Sequence, residues 1–396
     1  MIRRIAIPIG AAICAAMTLS AAAQDKEPIR VGLMTADAGS LAFVMPHFIE
    51  PAKLAVDMFN AQGGVLGRKF EVVLQTHNAT PAGALAAATR LVQQEKVSFI
   101  SGFTTSGISL AIAPRLDGLG ALLLDSTAQS KELTTKKCYA NYFRSSVHDG
   151  MNVRALRNVV RDSGIKNWTV VGADWAFGRD FDSGFRELVA EFGGTVQNSV
   201  FTPVGTSDFG SAIAQLGSRQ TEGLAVALSG NEGINFAKQQ KQFGLFPKFK
   251  TVVSVGFTSD MVLGAQGDST VGVYAPLGFA PEYPGAKSQA FVKLWQERFK
   301  RPPSNLEADS WQAIELLHAA IQRAGSTDVA AVRKALLGLK ANTVVGDVEM
   351  RSSDHQLMRS MALVQIESAG EGKSRQVLRN LVPADQATPA AVLNCN

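Results

Sequence analysis

The sequence predicts an α/β protein built as two doubly wound lobes, each a parallel sheet with helices on both faces. Three observations predict it. The chain has 396 residues, and a single hydrophobic core stops growing at roughly 250–300 residues. Short apolar runs alternate with amphipathic stretches, the pattern of βαβ units. That alternation runs through one series from residue 29 and starts a second near residue 150.

In the first series IRVGLMT (29–35) reads as a buried strand. Met45, Phe48, Ile49, Ala52, Ala55, Val56 and Phe59 recur at helical spacing, predicting a helix over 45–61 that Gly63-Gly64 ends. FEVVLQ (70–75) is the next strand, and Pro81 opens an Ala-rich helix over 81–95. VSFISG (97–102), a helix over 105–118 and ALLLD (121–125) follow.

The second series starts with a helix over 150–163 and the strand WTVVGA (168–173). Phe181, Phe185, Leu188, Val189 and Phe192 make one helical stripe. Strands over 195–201, 223–228, 251–255 and 271–274 enclose helices over 209–217 and 231–243. The Pro-rich link APLGFAPEYPG (275–285) leads to helices over 286–300, 306–324 and 328–339 and strands over 344–350 and 362–367. The tail beyond Val382 carries Pro383 and Pro389 and is expected to run over the surface.

Composition removes several function classes. With 46% apolar and 18% charged residues the chain is of ordinary globular type. Residues 1–23 join a basic start, Arg3-Arg4, to an apolar run and an Ala21-Ala22-Ala23 cleavage site, the layout of a secretory signal peptide. Pro8, Gly10 and Ser20 interrupt the run, whereas a membrane span needs about 20 predominantly apolar residues. Removing it takes away two arginines and no acid, so the formal +5 becomes +3. That small excess, with no Lys/Arg cluster, gives no case for nucleic-acid binding. The exported chain keeps Cys138 and Cys395; an oxidising compartment allows them to pair, and sequence separation alone leaves the pairing open.

The sequence lacks a P-loop, a G-x-G-x-x-G after a strand and a G-x-S-x-G elbow. His47, His77, His148, His318 and His355 are scattered, with no zinc spacing. No cofactor or metal is expected. An exported α/β chain of this kind reads as a binder rather than an enzyme; a hydrolase with a triad assembled only in the fold is the rival class.

Several segments go beyond pattern. NAQGGVLGRKFEVV (60–73) resembles the N-A-x-G-G-V-x-G-R-K segment of periplasmic solute-binding proteins of the Leu/Ile/Val-binding type, the receptors of ABC importers. VSFISGFTTSGISLAIAP (97–114) resembles that family's strand, ligand loop and helix, and ELTTKKCYANYFRS (132–145) the segment before its first crossing. DWAFGRDF (174–181) is similar to its aromatic motif at the mouth of the second lobe. The resemblance covers the chain from about residue 29 to its end. It implies the type I periplasmic binding fold, two lobes joined by three crossings. Residues 28–147 plus 279–348 would form lobe 1, 148–278 plus 349–382 lobe 2, and 383–396 a tail.

The resemblance also implies a periplasmic location, an importer permease as partner, no membrane span in the mature form, and a Cys138–Cys395 disulfide. It implies a ligand between the lobes. Thr105 and Ser106, where a strand ends and a helix begins, would take a carboxylate. Ser126, Thr127 and Ala128 follow the next strand at the same sheet edge. Trp175, Phe177, Asn231 and Phe257 lie at the edge of lobe 2, and Phe43 in the first loop. Amino-acid binders of the family place an acid near 255–258 for the ligand's ammonium, but VSVGFTSD (253–260) has none before Asp260. Phe43 and Val44 stand where a Tyr-containing loop is common. The expected ligand is a small carboxylate with an apolar body: a branched-chain or aromatic amino acid, or a related acid without an amine, which the missing acid favours. A ligand sensor of the same fold is the alternative.

Overall fold

The computed structural model describes residues 27–37, 44–102 and 104–395. The expected signal peptide (1–23) and Phe43 lie outside the described residues. Five strands form the first sheet: β1 (Ile29–Ala36), β2 (Phe70–His77), β3 (Phe99–Gly102), β4 (Leu122–Asp125) and β5 (Tyr142–Arg144). They lie in the order β2-β1-β3-β4-β5, all parallel. The connecting helices are α1 (Pro46–Ala61), α2 (Pro81–Gln93), α3 (Ser106–Ile112), α4 (Leu116–Leu119) and α5 (Glu132–Thr135). The single helix expected over 105–118 is broken by a 3₁₀ turn at Ala113–Arg115, where Pro114 supplies no amide.

The second lobe opens with α6 (Asp149–Ala155) and α7 (Arg157–Ser163). Then come β6 (Asn167–Ala173), α8 (Ala176–Glu191), β7 (Thr195–Thr202), α9 (Gly210–Gly217), β8 (Gly223–Ala227), α10 (Gly230–Gln242), β9 (Thr251–Ser254), α11 (Asp260–Gln266) and β10 (Tyr274–Leu277). The chain then forms α12 (Ala286–Phe299), α13 (Asn305–Ala324) and α14 (Val329–Leu336), followed by the small antiparallel sheet β11 (Lys340–Thr343), β12 (Gly346–Met350) and β13 (Leu357–Arg359). It returns as β14 (Met361–Gly370) and β15 (Lys373–Val382), which complete a seven-stranded sheet ordered β15-β14-β10-β9-β8-β6-β7. β10, β14 and β15 pair antiparallel to one another; the other pairings are parallel.

One core joins Phe48's helix to the later helices. Ala52, Val56 and Phe59 of α1 pack with Trp295 of α12 and with Trp311, Ile314 and Leu317 of α13. Helices that follow the second lobe in sequence thus cover the first. Met350 and Leu357 are buried in the same core, and β12 and β13 pair in the sheet begun by β11. The lobe boundary expected at 348/349 therefore falls at Ser360, between β13 and β14. The tail also differs from expectation: α15 (Ala384–Ala387) buries Ala387 against Val147, Met151 and Ala155. Further on, Cys395 is joined to Cys138 by a disulfide, with their Cα atoms 5.4 Å apart.

Two buried arginines hold the crossings together. Arg144 donates from Nε to Gln356 Oε1 (2.6 Å) and from Nη1 to Ser130 O (2.6 Å), linking the first crossing to the third. Arg359 binds Asp309 of α13, Gln312 Oε1 (2.9 Å) and Gly278 O (2.5 Å), linking the third to the second. The first two crossings leave from the carboxyl ends of β5 and β10, so the carboxyl edges of both large sheets sit where the lobes meet. In open α/β sheets that edge is where ligands bind.

Candidate functional site

At the first lobe's edge, β3 and β4 end side by side. Gly102 ends β3 at φ 103°, and a Cβ there would come within 2.5 Å of Met34 O, so only glycine fits. Asp125 ends β4, fully buried, and gathers both following loops. Its Oδ1 accepts from Thr104 Oγ1 (2.9 Å) and from the amides of Thr127 and Ala128 (3.0 Å each). Its Oδ2 accepts from Ser109 Oγ (2.5 Å) and Tyr142 OH (3.0 Å). Burial, then the Asp125 charge, pushes the Tyr142 phenol well above its ordinary range, so it stays a donor.

This network reassigns part of the expected site. Thr127 Oγ1 donates to Thr104 O (2.6 Å) and accepts from Thr104 N (2.9 Å). Its hydroxyl and amide, and the Ala128 amide, are therefore spent inside the protein. Ala128 is buried, and Ser126, also buried, donates to Gly102 O at 3.3 Å. In this conformation these three residues shape the loop and offer no free donor from those groups.

Thr105 and Ser106 differ. Thr105 caps α3, its Oγ1 accepting from Ile108 N at 3.4 Å. Ser106, half-buried, accepts from Ser130 N at 3.1 Å, which leaves its hydroxyl proton for an acceptor outside the loop. The amides of the first helical turn lack intrahelical acceptors by construction.

At the second lobe's edge, Trp175 follows β6, is 49% exposed, and lies 6.0 Å from the Phe177 ring. Phe177 is half-buried beside Gly256. Asn231 is exposed in the first turn of α10. Phe257 departs from expectation. Gly256 turns the chain at φ 71°, and the Phe257 ring is fully buried, 5.9 Å from Phe236 and 6.2 Å from Phe246. It belongs to the lobe core, because an apolar ring following a glycine turn gains more from burial than from the edge.

Three acids near these edges, Glu232, Asp260 and Asp125, already accept from donors of the protein. Glu232 accepts from Gly205 N at 2.5 Å. Asp260 is half-buried, accepts from Gln376 Nε2 at 3.0 Å and from the Asn305 amide across the lobes, and desolvation raises its carboxyl above the usual range. Asp125 holds five donors, as above.

Sequence reasoning missed Thr104, Ser109 and a polar pair that spans the lobes. Asn152 Nδ2 donates to Gln129 Oε1 at 3.2 Å while Asp149 N donates to Gln129 O at 3.0 Å. The lone acid closing an apolar strand, ALLLD, was the available signal for the Asp125 network; the Gln129–Asn152 pair left none in sequence. Among the described residues, no group of three or more His, Cys, Asp or Glu could hold a metal ion, and no helix is long and apolar enough to cross a membrane.

A sequence profile described as periplasmic binding protein matches residues 28–371. The chain is 23% identical over 366 residues to Leu/Ile/Val-binding protein homolog 6 of Brucella melitensis, covering 90% of this chain and 92% of the relative. Its structure is similar to a solute-binding protein of an ABC transporter from Rhodopseudomonas palustris in complex with 3,4-dihydroxybenzoic acid. The TM-score is 0.81 at 21% identity, over 90% of this chain and 98% of that one. It is also similar to a branched-chain amino acid transporter substrate-binding protein from Streptococcus pneumoniae in complex with isoleucine, at TM-score 0.77 and 22% identity, over 89% and 100%.

Proposed function

The chain belongs to the periplasmic binding protein family, and from that premise we propose that it is an extracytoplasmic receptor for a small amine-free carboxylate with an apolar, preferably aromatic, body. It holds the solute between its lobes by hinge closure, makes and breaks no bond, and delivers it to the permease of an ABC importer. Export by residues 1–23 places it in the periplasm.

The observation that carries the ligand class is the commitment of Asp125, Glu232 and Asp260 to donors of the protein itself. An α-amino acid brings an ammonium, which must be paired once desolvated; each of these three carboxylates already accepts at least one donor of the protein. A carboxylate alone needs only donors, and the Ser106 hydroxyl with the first-turn amides of α3 supplies them. Trp175, exposed beside Phe177, offers an apolar face whose covering favours binding by about 25 cal/mol per Å². The relative bound to 3,4-dihydroxybenzoic acid fits this reading. The one bound to isoleucine also shares the fold, at TM-score 0.77, so the acids, and not the likeness, carry the ligand class.

Calorimetry with benzoate, phenylpyruvate, phenylalanine and leucine tests it. The amine-free acids are expected to bind near micromolar, about −8 kcal/mol, and the amino acids more weakly. Tighter binding of either amino acid overturns the ligand class. Turnover of a substrate by the pure protein overturns the non-enzymatic reading.

A further inference from the structure

A cavity of about 250 Å³ lies where the first crossing, the α6–α8 face and the C-terminal tail meet. At its inner end is Asp149, 4% exposed, whose Oδ1 has no hydrogen-bond partner. A buried carboxyl oxygen left unpaired costs free energy that a ligand donor would recover. Asp180 and Glu187 line the same cavity from α8, seven residues apart and so on one helix face. Asp180 is half-buried and Glu187 exposed, which makes a path of acids from rim to floor. Val153, Leu188 and Pro389 give the walls apolar surface.

The cations around it are mostly committed. Arg154 donates to Gln386 O (2.9 Å) and lies 3.9 Å from Glu191. Arg351 binds both oxygens of Asp354 and Pro389 O. Arg144, behind Thr134, is used by the crossings. His148 beside Asp149 is kept neutral: burial, then Arg144, Arg351 and Lys131, pushes its ring well below the usual range. Lys131 on the first-lobe wall is left to oppose Asp180 and Glu187, so the cavity carries an excess of negative charge even with Asp149 protonated.

We propose that this cavity is a second ligand site, which takes a small primary alkylammonium ion with its head on Asp149 Oδ1 beside Asp180 and its alkyl part against Val153 and Leu188. The inference is independent of the carboxylate site. Burial, then Asp180, raises the Asp149 carboxyl to about 8. At neutral pH the group is therefore protonated, and an arriving ammonium favours its charged form. Binding converts the carboxylic acid to carboxylate and releases one proton to solvent, the ammonium keeping all three of its own.

Titrating the full-length mature protein with propylammonium chloride at pH 7 tests this, by calorimetry in phosphate and in HEPES so that proton release is read directly. The expected result is saturable binding with close to one proton released, and no response to tetramethylammonium or sodium chloride. Asp149→Asn should weaken binding at least tenfold while leaving benzoate binding unchanged. Asp180→Asn, at a half-buried position that tolerates change, should weaken it several-fold and serves if the first variant does not fold. Absence of saturable heat overturns the proposal, as does an equal response to tetramethylammonium or undiminished binding in either variant.

Discussion

Thr104 Oγ1 donates to Asp125 Oδ1 at 2.9 Å, and through that bond the loops after β3 and β4 become one structure. The carboxylate holds two side-chain hydroxyls of the β3–α3 segment, two amides of its own loop and the Tyr142 phenol. Charge-assisted bonds of this kind are the stronger ones, and four of the five donors belong to buried residues, Thr104, Ser109, Ala128 and Tyr142.

Asp125→Ala is therefore expected to destabilise the protein by about 3 kcal/mol or more, since each buried donor left unpaired costs about 1–3 kcal/mol and the losses overlap. Urea unfolding of wild type and variant measures it. An unchanged midpoint would mean that the five donors find other acceptors.

The disulfide supports the tail in a similar way. Cys138–Cys395 closes a 257-residue separation, and Cys395 N also donates to Ser353 O at 2.6 Å. Loss of the crosslink frees the segment that covers Arg351 and the α6 face. The Cys138→Ala/Cys395→Ala double variant is expected to lose about 2–4 kcal/mol, read as a lowered Tm, with faster proteolysis beyond Val382 as the local signature. Two titratable thiols in unfolded, unreduced wild type would contradict the bond itself.

Asp149 gives a pH dependence of definite sign. Its carboxyl is raised to about 8 in the fold, by burial first and Asp180 second, against about 3.9 in an unfolded chain. A raised group contributes stability that is full below the unfolded value and is lost as pH rises through the folded one. Wild type should therefore weaken relative to Asp149→Asn between pH 4 and 8, by up to roughly 1.4 kcal/mol per pH unit, with no further divergence above. Urea midpoints at pH 4, 6, 8 and 9 test this; parallel curves would mean that the carboxyl titrates normally.

How much of this was legible in the sequence differs between fold and site. Helices with a one-sided stripe, such as Phe181, Phe185, Leu188 and Val189 on α8, could be read directly because their buried face has a period. β15 could not: it pairs only with β14 at the sheet edge, and its half-exposed polar residues carry no apolar run. β11, with only Thr343 buried, was missed for the same reason. At the site, strand–loop–helix order was enough to bring 104–106 and 125–128 together. It could not show that Asp125 spends the Thr127 and Ala128 amides, because those bonds join residues from 104 to 142. The burial of Phe257 depends on Phe236 and Phe246, which a local reading does not see.

Ser106 is the residue on which the carboxylate reading is most exposed to test. Its hydroxyl oxygen is fixed by the Ser130 amide at 3.1 Å, so the proton points away from that donor, and the residue opens α3 where the helix dipole favours an anion. Replacing it with alanine removes one hydrogen bond to a charged group, a loss of about 1.5–3 kcal/mol. Ser106→Ala is thus expected to weaken benzoate or phenylpyruvate binding by roughly one to two decades, with a modest fall in Tm because the amide of buried Ser130 loses its acceptor. Trp175→Ala should also weaken binding, by removing apolar contact, but it should do so in proportion to the ring size of the ligand, whereas the Ser106 loss should be the same for every carboxylate. Equal affinity in wild type and Ser106→Ala across the series removes Ser106 from the site and moves the carboxylate to the second lobe's edge.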